Sequence, residues 1–354
     1  MSNEIKISHA TLAEQKEWDS FVLSQPHASP YHFFAWGAAI TQAYGHKSYS
    51  LMARQEGRPV GILPLVHLRL SFLVNEFVAL PFCDVGNCLS VDGDVEKKLL
   101  AEAQRLSKQL KIKNIQLRGQ LLSAGKSYSS FTQLESNKLR MLLDLPESSE
   151  ILFKAFKPKL RSQVRKAEKN GVHFRWAGKD GIDSFYSIFC NNMSELGSPV
   201  HSKKLFSAIM EHYGEKARIG LAEYEGECIS AGLILSTDEQ TSIPWASSLR
   251  KFNHLAPNML MYWNCLKFAA DSGKKLFDFG RSTENEGTFR FKRQWGAEPF
   301  PLVWYSSCPD TPIQSENVTK RKKSGRERAA KVWKKIPIPI ANFLGPKLRK
   351  YINL

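Results

Sequence analysis

The sequence predicts a mixed α/β protein, α+β in detail, built as two similar units of mixed sheet covered by helices. Three observations predict it. Two apolar runs meet across a Glu-Gly turn at Glu56-Gly57 and again at Glu225-Gly226, which is how a β-hairpin reads. Each hairpin is followed by a strand, an apolar-faced helix and a further strand. The landmarks also recur at nearly one offset, 169 from Gly57 to Gly226 and 162 from Gln116 in IQLRG to Asp278 in FDFGR. Such a recurrence suggests an internal duplication with a period of about 160 residues. The alternative is two unrelated α+β domains sharing an element order. The expected segmentation is residues 1–148, residues 149–308, and a basic tail over 309–354.

Ile5 and Ile7 mark a first strand, and Trp18, Phe21 and Val22 one side of a helix that Pro26 and Pro30 break. An aromatic helix over 31–44 stops at Gly45. The first hairpin joins 51–55 to 60–70, and FVALPF (77–82) is a strand. Leu99, Leu100, Ala103, Leu106 and Leu110 give one face of a helix over 96–110, and 112–119 returns as a strand. In the second half, helices are expected at 160–169, 182–196, 203–213 and 258–270. Strands are expected across 219–236, at 243–248, at 274–281, and at 290–296, where aromatic and basic residues alternate.

The chain is 42% hydrophobic and 11% aromatic, enough for real cores, which excludes general disorder. Six scattered cysteines form no C-x-x-C, and nine histidines form no H-E-x-x-H, so a disulfide framework or a metal centre is not expected. Neither a nucleophile elbow, a P-loop nor a dinucleotide fingerprint is present. No signal peptide or membrane span is legible, so a cytoplasmic protein is expected. Of the net charge of +16, most belongs to the stretch after Val318, where twelve Lys/Arg face one acid, Glu327. The body is close to balanced, which argues against reading the whole protein as nucleic-acid binding. The proline-broken apolar end, with Trp333, Phe343 and lysines, suits an interfacial anchor at the inner-membrane surface. Docking of the tail on the protein's own body is the equal alternative.

Phe277 to Gly296 concentrates chemistry: a short strand with Asp278, a turn with Arg281, Ser282 and Thr283, then Arg290, Phe291, Lys292 and Trp295. Cations beside hydroxyls bind phosphate, and a positioned lysine stabilises a tetrahedral oxyanion in acyl transfer. Residues 154–171 carry seven basic residues and one acid, with Arg161, Arg165 and Lys169 in one row and Lys157 at the start. That row fits RNA or nucleotide phosphate, or a merely solvated helix face.

FDFGRST…GTFRFKRQWG, preceded by PNMLMYWNCLKFAADSGKKL, resembles the C-terminal half of the Fem-type peptidyltransferases. PYHFFAWGAAITQAYGH, GILPLV, LPFCDVGN, KLRSQVRKAEKNGV, LGSPVHSKKLF and PWASSLRKFNHLAPNMLMYW extend the likeness over about residues 30–306. The likeness is strongest to the FemAB-related proteins of exosortase/PEP-CTERM exopolysaccharide systems. It implies two tandem GNAT (acetyltransferase-like) domains that transfer an aminoacyl or acyl group to a peptidoglycan-like or exopolysaccharide precursor, lipid- or nucleotide-linked. It implies no permanently bound cofactor, and aminoacyl-tRNA or acyl-CoA as the activated donor. Lys292 falls on the family's catalytic lysine, with Asp278 or a phosphate of the substrate as the candidate base. Phe291, Arg290, Trp295, Arg281, Ser282 and Thr283 fall on the substrate side, with Trp245, Ser247 and His201 in the pocket wall. The acyl-CoA form of the fold has a glycine-rich loop where this chain has LRKFNHLAPNML, so phosphate binding there would rest on backbone N–H groups near Asn258. Two alternatives remain: an acetyl-CoA-dependent N-acetyltransferase acting on an amino sugar, and a non-catalytic scaffold recruited to membrane polysaccharide machinery by its tail.

Overall fold

The computed structural model describes residues 4–70, 73–122, 130–134, 136–308, 325 and 327–353. It contains two compact units. One takes the described residues within Met1–Asn137, Leu302–Arg321 and Tyr351–Leu354; the other takes those within Lys138–Pro301 and Lys322–Lys350.

The first unit has strands β1 (Ile5–His9), β2 (Lys47–Gln55), β3 (Arg58–Leu70), β4 (Val74–Ala79), β5 (Leu89–Ser90), β6 (Asn114–Arg118) and β7 (Thr132–Leu134). Its helices are α1 (Gln15–Leu23), α2 (Phe34–Tyr44) and α3 (Gly93–Gln109). Glu56 and Gly57 both hold positive φ, 50° and 80°, the pair a tight hairpin turn requires. α3 starts where Asp92 accepts the Asp94 and Val95 amides at 2.9 and 2.8 Å. Its stripe of Val95, Leu99, Leu100, Ala103 and Leu106 packs on Leu51, Leu63, Leu65, Phe77 and Ile115 of the sheet. Strand alternation sends Met52 and Ile62, equally buried, to positions between these.

The second unit begins with β8 (Lys138–Asp144), α4 (Ser149–Ala155), α5 (Pro158–Lys169) and β9 (His173–Ala177). α6 (Ile182–Leu196), α7 (Lys203–Tyr213), β10 (Ala217–Tyr224), β11 (Glu227–Ser236) and β12 (Gln240–Ser248) follow. It closes with α8 (Pro257–Asp271), β13 (Leu276–Thr283), α9 (Gly287–Gln294) and β14 (Glu298–Pro301), before β15 (Trp304–Ser306) joins the first sheet. The two sheet orders are β1-β2-β3-β4-β6-β15-β7, with β5 on β3, and β14-β8-β13-β12-β11-β10-β9. α8 carries Met261, Tyr262, Cys265 and Leu266 onto Ile229, Ile243, Phe277 and Phe279, and α5 adds Leu160 and Val164.

The duplication is visible in detail. Each unit runs hairpin, strand, helix and parallel strand, with β4 parallel to β6 and β12 parallel to β13. The second hairpin turn has φ of 50° at Glu225 and 79° at Gly226. Both hairpins bulge at the same offset, between Ala53 and Arg54 and between Ala222 and Glu223.

Two expectations change. Residues 290–296 are not a strand: most lie in the helix α9, because Phe289/Lys292 and Phe291/Trp295 also satisfy helical spacing. The division falls at residues 137/138 instead of 148/149, because β8 pairs with β13 and β14; it also falls before 302, because β15 pairs with β6 and β7. Of the two readings of the C-terminal end, docking on the protein's own body is seen where its residues are described. The helix Ile338–Arg349 buries Ala341 and Gly345, and a Cβ on Gly345 would come within 2.9 Å of the Val200 nitrogen. Residues 309–324 lie outside the described ones.

Candidate active site

β12 and β13 pair over only three positions, Gln240↔Leu276, Thr241↔Phe277 and Ser242↔Asp278. Beyond them both strands bulge. In β12, Leu235 pairs with Ser242 and Leu233 with Trp245, so Ile243 and Pro244 together oppose Ile234. Pro244 has no N–H to give a ladder, which suits it to a bulge. The extra residue turns Ile243 toward the α8 core and lets Trp245 meet Phe206 of α7, with ring centroids 5.0 Å apart. In β13 the register shifts between Asp278 and Arg281, around Gly280 at φ 70°. From there β12 stays with β11 and β13 with β8. Among the described residues, no strand fills the split between them.

The first unit makes the same split and fills it. β4 and β6 pair over Glu76↔Asn114, Phe77↔Ile115 and Val78↔Gln116. Past these, Gly86 bridges to Arg118: its N–H donates to the Arg118 carbonyl at 2.6 Å and its carbonyl accepts the Arg118 N–H at 2.5 Å. Arg118 Nη1 donates to the Cys83 carbonyl at 2.6 Å. The segment lies so close to β4 that a Cβ on Gly86 would stand 2.1 Å from the Ala79 oxygen.

α9 packs on β13 and β8 and brings Lys292 to the split strand. The side chain is only 7% exposed, and Nζ donates to the Arg281 carbonyl at 2.7 Å. An ammonium has three N–H groups, and this bond orients it toward the split strand. Next to it Ser282 is 3% exposed, and its hydroxyl has no partner among the described residues. Lys138 Nζ donates to the Thr283 hydroxyl. Arg281 is half-buried and Arg290 exposed.

Asp278, the candidate base, is held by two partners in the sheet. It is 2% exposed; Oδ2 accepts Arg140 Nε at 2.9 Å, and Oδ1 accepts the Gly280 N–H at 2.7 Å. It therefore fixes the β13 bulge and, through it, the carbonyl that holds Lys292. Trp295, expected on the substrate side, is 1% exposed and packs edge-on to Phe156 at 5.4 Å. Phe291 meets Tyr262 edge-on at 4.9 Å, and burial pushes the Tyr262 hydroxyl well up.

Trp245, Ser247 and His201 do come together, around the far half of β12. The His201 ring stands 6.0 Å from that of Trp245, and Ser247 Oγ accepts Asn192 Nδ2 at 3.1 Å. Burial, and then the Arg349 charge, hold the His201 imidazole well below its ordinary pKa. Asn258 is half-buried in the first turn of α8, behind Ala256 at φ 58° and Pro257. First-turn amides have no intrahelical acceptor and point at anions. On α5, Lys157, Arg165 and Lys169 are exposed, while Arg161 donates to the Lys154 carbonyl at 3.0 Å and Arg165 lies over Phe153. Arg140 and Asn192 were missed from the sequence; each acts through a partner far away in the chain, and no local motif marks it.

The element order, the parallel pair over a crossover helix and the split at its end define the architecture. The fold is that of the tandem GNAT proteins. Residues 154–293 match the acetyltransferase (GNAT) domain family. A crystal structure of FemX superposes with a TM-score of 0.69 at 16% identity, covering 87% of this chain and 98% of that one. The C-terminal domain of a putative lysylphosphatidylglycerol synthetase from Agrobacterium fabrum gives 0.59 at 9% identity, over 87% and 94%. A tandem GNAT protein of the clavulanic acid biosynthesis pathway gives 0.52 at 12%, over 86% and 98%. No curated protein matches the chain.

Proposed function

We propose that this tandem GNAT protein is an acyltransferase whose second unit transfers an acyl or aminoacyl group from a phosphate-bearing carrier to an amine or a sugar hydroxyl. The carrying observation is the open split of that sheet, with the Lys292 ammonium fixed on the Arg281 carbonyl at its side. An extended acyl chain can lie between β12 and β13 and use their backbone groups, as a strand would. Attack of the acceptor on the donor carbonyl gives a tetrahedral oxyanion, to which Lys292 donates a hydrogen bond. Its collapse leaves the acyl group bonded to the acceptor and expels the carrier's thiolate or alkoxide, which takes up the proton the acceptor loses. Arg281, Ser282 and the first turn of α8 are the phosphate contacts. Asp278 supports the lysine through the strand.

The acceptor class, a peptidoglycan-like or exopolysaccharide precursor bearing an amine or sugar hydroxyl, rests on the sequence resemblance to Fem-type enzymes. Aminoacyl-tRNA and acyl-CoA remain the two donors, and the exposed cations of α5 suit either. The deciding assay follows transfer from radiolabelled acetyl-CoA and from aminoacyl-tRNA, with and without ribonuclease, for the wild type and Lys292→Met. Methionine keeps the buried volume but removes the donors. Turnover should fall by about 10²–10³ with the unfolding midpoint little changed, the usual size for one lost oxyanion donor. Near-full turnover in Lys292→Met would overturn the assignment; no transfer from either donor would favour the scaffold reading.

A further inference from the structure

The C-terminal helix Ile338–Arg349 has two unlike faces. One, through Ala341 and Gly345, is spent against the second unit near Val200, and Arg349 turns toward His201. The opposite face is apolar yet open: Ile340, Phe343, Leu344 and Leu348 are all exposed, Phe343 to 64%. Helical spacing puts them on one surface with Lys347, whose Nζ lies 3.7 Å over the Phe343 ring. The preceding helical residues continue this surface. Val332 is 65% exposed and lines one groove with Ile336, Pro337 and Ile340, flanked by Lys331 and Lys335. From 327 to 350 the only acid is Glu327, against seven Lys/Arg. A soluble surface has no use for a large phenylalanine and four aliphatic side chains pointing outward together. Lysine stems and ammonium groups around such a patch are what a negatively charged lipid interface selects.

We propose that this face, Val332, Ile340, Phe343, Leu344 and Leu348 with Lys331, Lys335 and Lys347, is a docking surface for an anionic phospholipid membrane. It lies in the interface plane: among the described residues no helix is long and apolar enough to cross a membrane. The apolar side chains enter the headgroup boundary while the lysines meet lipid phosphate. This surface is independent of the reaction assigned to the split sheet.

The test is cosedimentation of the full chain with phosphatidylglycerol–phosphatidylcholine vesicles, and with pure phosphatidylcholine vesicles, at low and high salt. The decisive variant is Ile340→Ser/Phe343→Ser/Leu344→Ser, which leaves every charge in place; a second is Lys331→Ala/Lys335→Ala/Lys347→Ala. The wild type should bind the anionic vesicles and release with salt. The serine variant should lose at least about tenfold in partitioning, and the alanine variant about fivefold per lysine. These side chains are exposed, so unfolding midpoints should match the wild type. Failure of the wild type to bind at low salt overturns the proposal. So does equal binding by the serine variant, which would assign the attraction to charge elsewhere, including the basic run 320–323. A wild-type dimer that the serine variant abolishes, without vesicle binding, would assign the face to a second copy of the chain.

Discussion

Arg140→Met removes the guanidinium that stands against the buried carboxylate of Asp278. In the wild type Nε donates to Oδ2 at 2.9 Å, Nη2 lies 2.9 Å from the same oxygen, and the carboxylate's other oxygen accepts the Gly280 N–H. The Asp278 side chain is 3% exposed and that of Arg140 18%. Removing one partner of a buried pair leaves an uncompensated charge, which costs about 3–5 kcal/mol. Partial exposure of Arg140 and the surviving Gly280 bond place this pair at the lower end, about 3 kcal/mol. For a domain of this size that lowers the midpoint by roughly 6–12 °C. Thermal unfolding by circular dichroism, with urea titration as a check, measures it. The double variant Arg140→Met/Asp278→Asn should recover more than half the loss, since a neutral amide oxygen still accepts the Gly280 N–H. A change under about 0.5 kcal/mol in Arg140→Met, within the range of ordinary surface substitutions, would refute the reasoning. So would a double variant no better than the single one. Either result would mean that the pair does not hold the β13 bulge that carries Lys292.

Two shorter predictions follow. His201 is neutral when folded because burial disfavours its cation; its folded pKa is depressed, so the stability it allows is present above the unfolded value of about 6.5 and is lost as pH falls below it. Denaturation midpoints taken between about pH 7.5 and 5.5 should fall by up to about 1.4 kcal/mol per pH unit from this group, and His201→Gln should flatten that slope. Gly86→Ala should cost on the order of 2 kcal/mol or more, read as a lowered urea midpoint, because the new methyl meets the Ala79 carbonyl at 2.1 Å; a neutral result would remove the segment from the split.

Sequence patterning reached furthest where one helical face and both caps are written locally. The 182–196 and 203–213 helices match α6 and α7 because Gly197 takes φ 73° at one end and the Ser202 hydroxyl accepts the Lys204 amide at the start of the other. The duplicated hairpins were legible because a Glu-Gly pair is a local requirement of the turn. RFKRQWG failed for the opposite reason: over seven residues its aromatic and basic positions fit a period of two and a period of 3.6 alike. Lys292 could be singled out, but not the carbonyl that holds it, and Trp295 was assigned to a ligand when its neighbours are Phe156 and Tyr262. β8 was invisible as a strand of the second sheet, since its partners β13 and β14 lie more than a hundred residues on. Arg140 was lost with it.

The difference between the two copies has a cause in chain length. The first unit spends residues 80–92 between β4 and α3, and from these it draws the segment that pairs with Arg118. The second has only 249–256 between β12 and α8, most of it in a short 3-10 helix, Arg250–Leu255. A split strand pair presents backbone donors and acceptors, and leaving one buried without a partner costs about 1–3 kcal/mol. The longer connection satisfies those groups from within its own sheet. Among the described residues, the shorter one supplies no such segment. A shorter connection thus separates a closed copy, stabilised by its own loop, from an open one. The open copy is also the one whose strand edge carries Ser282 and the carbonyl that fixes Lys292. The backbone opening and the charged side chain reach one place by separate routes, the first through the bulges at Pro244 and Gly280, the second through α9.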